Sequence, residues 1–188
     1  RLADFPRIVG IKDSSRDFPR FLNLINRMRP RRPDFSILIG TEEIILPALL
    51  MGGDGGTIAT SGIVPEVVMK LYALAESGKI EEARKIQFKL LELINVMLFG
   101  AGFPEGFRAA ASLRGFVMGQ SRQPLSPKEK CDLNAVRQTL HCILSEHGFV
   151  AEIEGAVGCE PLGQDASPSE TEIQAIVAEV VRQMRTNR

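Results

Sequence analysis

The chain has no tryptophan, one tyrosine, two histidines, three cysteines and no net charge, with 23 Lys plus Arg against 23 Asp plus Glu in 188 residues. Each shortage closes off a class of function. Balanced charge leaves no global field to draw the protein to nucleic acid or an anionic membrane, so neither is an expected partner. Cys131, Cys142 and Cys159 show no C-x-x-C spacing. That suits reduced thiols better than a disulfide framework and points to the cytoplasm. His141 and His147 stand six apart without ligand spacing, so they read as helix-surface or helix-end histidines, and no metal is expected. No apolar run approaches the ~20 residues that span a bilayer. No signal segment is visible.

The most informative residue present is Lys12. It ends the apolar run Ile8-Val9-Gly10-Ile11-Lys12 and precedes Asp13-Ser14-Ser15. If residues 8–12 are a strand, Val9 and Ile11 share one face, and Ile8, Gly10 and Lys12 the other. Lys12 then projects from the C-terminal end of a strand just before a polar turn. Catalytic side chains of α/β barrels occupy that place. A desolvated amine there loses its proton more readily and attacks carbonyl carbon. On this strand alone, a lysine reaching into solvent is the simpler reading.

Beyond Lys12, the periodicity predicts a helix over 18–29, with Phe18, Phe21, Leu22, Ile25 and Met28 on one face. Arg27, Arg29, Arg31 and Arg32, broken by Pro30 and Pro33, read as a solvated loop rather than a phosphate patch. A strand over 35–40, a helix over 42–52 capped by Thr41, and a strand over 56–60 follow. Pro65 opens a helix that runs to Ser77-Gly78. This β-α-β-α-β-α order predicts parallel strands with helical crossovers. Strands then stop. Helices are expected over 79–99, from Pro104 to Met118, and from Ser126, with Glu129 completing a capping box, to just before Gly148.

From Val150 to Ser169 no period survives, and Gly, Pro, Ser and acids dominate, as in a linker. Ser169-Glu170-Thr171-Glu172 then begins a second capping box. Ile173, Ile176, Val177, Val180, Val181 and Met184 form an amphipathic stripe. A helix this short needs a partner surface. Glu172, Gln174, Glu179, Arg182 and Gln183 make its polar face too acidic for a lipid-binding helix. Four segments are therefore expected: 1–78, three βα units; 79–149, a helical extension; 150–169, a linker; and 170–185, a docking helix.

Four stretches in order, IVGIKDSS (8–15), Gly40-Thr41-Glu42-Glu43, MGGDGGTIATSGIVPE (51–66) and GQSRQPL (119–125), resemble the dihydrodipicolinate synthase / N-acetylneuraminate lyase family. The resemblance covers about residues 1–145. It implies the C-terminal part of a (β/α)8 TIM barrel, its last three strands and helices, followed by a three-helix extension. A complete barrel takes about 250 residues, so five further βα units are expected before Arg1.

The resemblance also implies the chemistry. Lys12 would form an imine with pyruvate or another 2-oxo acid, with no cofactor. Gly40, Glu42, Glu43, Thr57 and Ala59 would border the substrate. Tight turns explain most of the glycines equally well, and Thr41 and Glu43 also read as plain helix N-terminal residues. The family's proton-shuttling tyrosine and its carboxylate-binding pair would precede residue 1, because Tyr72 falls in a helix after the last strand. Gly62 stands where many members carry Asn. Ala59 stands where sialate lyases tend to carry Ser, which argues against sialate. The reaction expected is 4-hydroxy-tetrahydrodipicolinate synthase-like. The alternatives are a 2-keto-3-deoxy sugar acid or other 2-oxo acid aldolase, or a non-catalytic fragment with a binding tail. The resemblance also implies a homotetramer, since some members use the C-terminal helices in tetramer contacts. Residues 170–185 resemble an encapsulation peptide that docks Ile173, Ile176, Val177, Val180 and Val181 on a bacterial microcompartment shell protein.

Overall fold

The computed structural model describes residues 2–122, 124–126, 130–149, 153 and 155–159. Arg1–Val157 is one compact unit and Gly158–Arg188 a second. Nearly all described residues belong to the first. The predicted linker falls mostly outside the described residues, and the predicted helix 170–185 entirely so.

Three parallel strands, β1 (Gly10–Asp13), β2 (Ser36–Ile39) and β3 (Gly55–Gly56), lie in sequence order in one sheet. Lys12 is registered with Leu38, and Leu38 with Gly55. The ladder runs past the strand ends, because Gly40 N donates to Asp13 O at 2.8 Å and Thr57 N to Ile39 O at 2.8 Å. Ile37 and Ile39 are buried, whereas Val9 is 64% exposed and Ile11 is exposed. The reason is position: β2 is central and β1 is an edge. Asp54 pins the far end of β3. Its carboxylate accepts from Ile37 N at 2.6 Å and pairs with Arg29 at 2.6 Å.

Parallel neighbours need crossovers, and α1 (Phe18–Met28) and α2 (Ile45–Leu50) supply them. Asp17 caps α1 by accepting from Arg20 N at 2.9 Å, and Phe21, Ile25 and Met28 are buried along the predicted stripe. Pro65 opens α3 (Pro65–Glu76) as expected. The extension contains α4 (Ile80–Ile94), α5 (Glu105–Leu113) and α6 (Leu133–Glu146). Leu71, Ile86, Leu90, Leu93, Leu140 and Ile143 are buried where α3, α4 and α6 meet. Sheet and extension thus share one apolar core. No helix among the described residues is long and apolar enough to cross a membrane.

Several boundaries differ from the sequence reading, each for a physical reason. Thr41 makes no capping bond. A 3-10 turn, Glu42–Ile44, precedes α2, and Gln87 of α4 does the capping from a distance. Its Oε1 accepts from Leu46 N and its Nε2 donates to Glu42 O, both at 2.8 Å. The third strand is shorter than 56–60, because the chain turns into a 3-10 helix at Ala59–Gly62. The predicted helix 79–99 widens into a π-helical turn at Asn95–Phe99. α5 stops at Leu113, because Gly115 at φ 89° provides a left-handed stop and Phe116 N returns to Ala111 O. α6 starts at Leu133 rather than Ser126, capped by Asp132 on Asn134 N and Ala135 N. Arg29 and Arg32 brace the loop after α1 through Asp54, Asp34 and backbone carbonyls. Cys131 is a free thiol. Cys142 is disulfide-bonded, contrary to the reduced-thiol reading.

An ionic cluster joins α4 to the end of α6. Lys89 is buried, 3.2 Å from Glu92 and 3.3 Å from Glu146. Beside it, burial and the neighbouring Lys70 pull His147 below the ordinary histidine value of 6.5; Glu146 opposes them and Lys89 adds to the lowering. Nε2 of His147 is buried without a hydrogen-bond partner among the described residues. The folded state therefore favours neutral imidazole over the unfolded state. Its share of stability is present above about pH 6.5 and drains away as pH falls through the lower folded value. Urea unfolding between pH 7.5 and 5 should show declining stability, and His147→Gln should flatten that part of the decline.

Candidate functional site

Lys12 occupies the third position of β1, and the polar turn after it is built from its neighbours. Asp13 is buried, with its Oδ1 accepting from Ser15 N at 2.8 Å and its Oδ2 3.7 Å from Arg20 Nε. Burial pushes the Asp13 carboxyl up, but the Ser15 hydrogen bonds and the Arg20 charge outweigh it, so the group titrates below the usual carboxylate value. An ionised Asp13 thereby anchors the strand exit directly after Lys12.

Gly40 lies against that exit. A methyl group at Gly40 would overlap Ser14 Oγ and come within 2.6 Å of Lys12 Cε. Glycine is the residue that lets the lysine stem and the serine hydroxyl settle over the end of β2. Lys12 itself is exposed, because β1 has no neighbour beyond it among the described residues. The desolvation expected of this lysine is therefore absent from the described part of the molecule.

The two glutamates have different surroundings. Glu42 is buried and its Oε1 accepts from Thr60 N at 2.9 Å, so its carboxylate joins the turn after β2 to the turn after β3. Glu43 is half-buried; its Oε1 lies 3.6 Å from Arg16 Nη2, and its Oε2 has no hydrogen-bond partner among the described residues. Thr57 and Ala59 are exposed beyond the end of β3. Thr41 and Thr60 are buried, and their hydroxyls lack partners among the described residues. Lys12, Gly40, Glu42, Glu43, Thr57 and Ala59 thus all follow or end their strands at the same edge of the sheet, and Gly40 meets Lys12 directly. An amine placed there, with backbone close beneath it, can reach the carbonyl carbon of a small molecule lying across the strand ends.

Sequence reasoning passed over four residues. Ser14 shares Gly40 with Lys12. Gln87 braces Glu42, and its signal was a polar residue four positions after Ala83 on the buried face of α4. Arg16, which stands beside Glu43, and Phe99 had no local signal, since the Arg16 guanidinium reaches a ring 83 positions further along the chain, 5.5 Å from its centroid.

Comparison with known proteins gives the family. The Dihydrodipicolinate synthetase family matches residues 1–143. A 4-hydroxy-tetrahydrodipicolinate synthase from Chlorobaculum parvum is 33% identical over 80% of this chain and 48% of its own length. A DapA-like lyase from Pyrobaculum aerophilum is 33% identical over 79% of this chain and 50% of its own. The structure of an N-acetylneuraminate lyase from Fusobacterium nucleatum complexed with pyruvate superposes with a TM-score of 0.62 at 26% identity, covering 77% of this chain and 46% of that one. The chain spans about half the length of the curated relatives it matches. With a family match over residues 1–143, on a chain of three parallel βα units, the chain belongs to the dihydrodipicolinate synthetase family.

Proposed function

We propose that the intact protein is a pyruvate-dependent lysine Schiff-base lyase or aldolase, of the 4-hydroxy-tetrahydrodipicolinate synthase type. The observation that carries the reading is the close seat of Lys12 Cε against Gly40 at the strand ends, in a chain of this family. Lys12 Nζ attacks C2 of pyruvate, and the carbinolamine loses water to give an iminium. The iminium draws electrons from C3, which loses a proton and becomes an enamine carbon. That carbon forms a bond to an aldehyde or imine carbon, and hydrolysis of the new iminium returns the lysine. Cleavage of a 2-keto-3-deoxy sugar acid is the same sequence reversed. Thr57 and Ala59 border the substrate, with Gly40 beneath it. Glu43, with an oxygen that no described residue engages, is better placed to meet substrate than Glu42, whose carboxylate holds Thr60 N. The assembly in this reading is a homotetramer.

The experiment is reductive trapping. The protein is incubated with pyruvate and borohydride and then digested. A pyruvate-derived adduct mapped to Lys12 supports the reading; an adduct on another lysine, or none, removes it.

The tail is a separate proposal. Residues 170–185 form a detachable helix that docks Ile173, Ile176, Val177, Val180 and Val181 in a groove of a microcompartment shell protein, following a linker over 150–169. The motivation is the amphipathic stripe. A fluorescent protein carrying residues 165–188 should enter compartments, and Ile176→Glu with Val180→Glu should leave it diffuse. A burial cost of several kcal/mol for an unpaired carboxylate is enough to abolish docking. A diffuse wild-type fusion, with loss of the tetramer on deleting 165–188, would make the helix an assembly element instead.

A further inference from the structure

We propose that Arg16 selects the second substrate by binding an anionic group, carboxylate or phosphate, on the electrophile that meets the lysine-bound enamine; this rests on the reading of Lys12 given above. Among the described residues, Arg16 is the one non-glycine residue at positive φ, at 62°. A residue with a Cβ disfavours that conformation, and it persists where the surroundings hold it, which is common at ligand sites.

The conformation carries the side chain across the strand ends. From the loop after β1 the guanidinium reaches Glu43, in the turn after β2, and the ring of Phe99, at the end of the π-helical turn. Lys12 lies four residues before Arg16, and Gly40, which Lys12 touches, lies three residues before Glu43.

A bracing role and a binding role differ in what the donors do. Arg29 donates to Phe35 O and Gly52 O and pairs with Asp54 at 2.6 Å. Arg32 holds Asp34 and Ala3 O. Arg16 makes no hydrogen bond to any described residue, and its approach to Glu43 at 3.6 Å is too long for one. Its side chain is 54% exposed. All five N–H donors are thus available on a guanidinium that Glu43 orients and the Phe99 face supports. A surface ion pair of this length is weak and would not by itself hold a left-handed arginine. A bidentate anion fits such a fork better than the single, distant Glu43 oxygen does.

The test is calorimetric titration of the 188-residue chain with succinate, the carboxylate probe, and with inorganic phosphate, the phosphate probe. Wild type should bind one of them, and which one names the class. Arg16→Gln and Arg16→Gly should each weaken that binding by roughly tenfold or more. Glu43→Gln should strengthen it, because it removes the competing carboxylate. Glycine accepts a φ of 62° without strain, so Arg16→Gly should keep or raise Tm. Equal affinity in wild type and Arg16→Gln, binding of neither probe, or a lower Tm with unchanged binding would make Arg16 a brace and overturn the proposal. Arg16-dependent binding of pyruvate itself would move the group to the donor carboxylate and also overturn it. Pyruvate trapping on wild type reports on Lys12 separately. An adduct without Arg16-dependent anion binding defeats the present proposal alone; Arg16-dependent anion binding without an adduct defeats the lysine reading and, with it, the electrophile role, leaving only an anion site at Arg16.

Discussion

Lys12→Ala should abolish the borohydride-stable pyruvate adduct while leaving the fold intact. The side chain is exposed and belongs to no buried cluster, so its removal opens no cavity. Lys12→Arg should abolish the adduct too, because a guanidinium stays protonated and cannot attack as a free amine. Gly40→Ala tests the geometry rather than the nucleophile. Its methyl would take the space of Ser14 Oγ and sit 2.6 Å from Lys12 Cε. Both neighbours are flexible side chains, so the fold should tolerate the change while the lysine is pushed off its seat. Adduct formation should slow by roughly tenfold or more, in line with the cost of small misplacements at reacting centres. Mass spectrometry of digested protein, with circular dichroism of each variant, reads both parts. Full adduct in Lys12→Ala would end the assignment. Normal trapping in Gly40→Ala would show that the close seat of the lysine has no bearing on its chemistry.

Gly106→Ala should be among the most destabilising single-methyl changes available in this chain. A Cβ there would overlap Met97 O and lie 2.6 Å from both Met97 C and Cα. These are backbone atoms of the π-helical turn, so no rotamer change relieves the overlap. α5 must instead move away from the turn it packs against. Overpacking of this kind costs about 1–3 kcal/mol, and the upper end is expected because only backbone can yield. Alanine's helix propensity offsets about 1 kcal/mol at most. For a chain of this size, Tm should fall by roughly 4–8 °C. Gly62→Ala is the control, since a methyl there meets nothing within 4 Å. Equal melting of the two variants would show that α5 is not seated on the Met97 backbone.

The helical stripes were legible because their signal is local. Phe21, Ile25 and Met28 recur at helical spacing and are buried in α1. Pro65 announced α3 by the one position it tolerates in a helix. Helix ends were less legible where a competing signal was passed over. Gly115 marks the end of α5, yet the apolar run Phe116 to Met118 invited a longer helix, and those three residues are exposed. Asp132, not Ser126, caps α6, because its carboxylate meets two backbone N–H groups of the first turn. Thr41 had the composition of a cap, but Gln87 took the role from 41 residues beyond Leu46, and no sequence window contains that contact.

By itself the sequence determined the alternation of strand and helix, the parallel order that follows from it, and the lysine at a strand's C-terminal end before a polar turn. These depend on residue type and on periods of two and 3.6, which neighbours along the chain impose. Only the tertiary structure decided which polar groups are engaged and which remain open. It placed Gly40 under Lys12 and Ser14, committed the Glu42 carboxylate to Thr60, left one oxygen of Glu43 without a described partner, and set Arg16 over Phe99. Each of these joins segments that the sequence separates and the strand ends bring together. Hydrogen bonding and close approach act over a few ångströms in space, and distance along the chain carries no record of them.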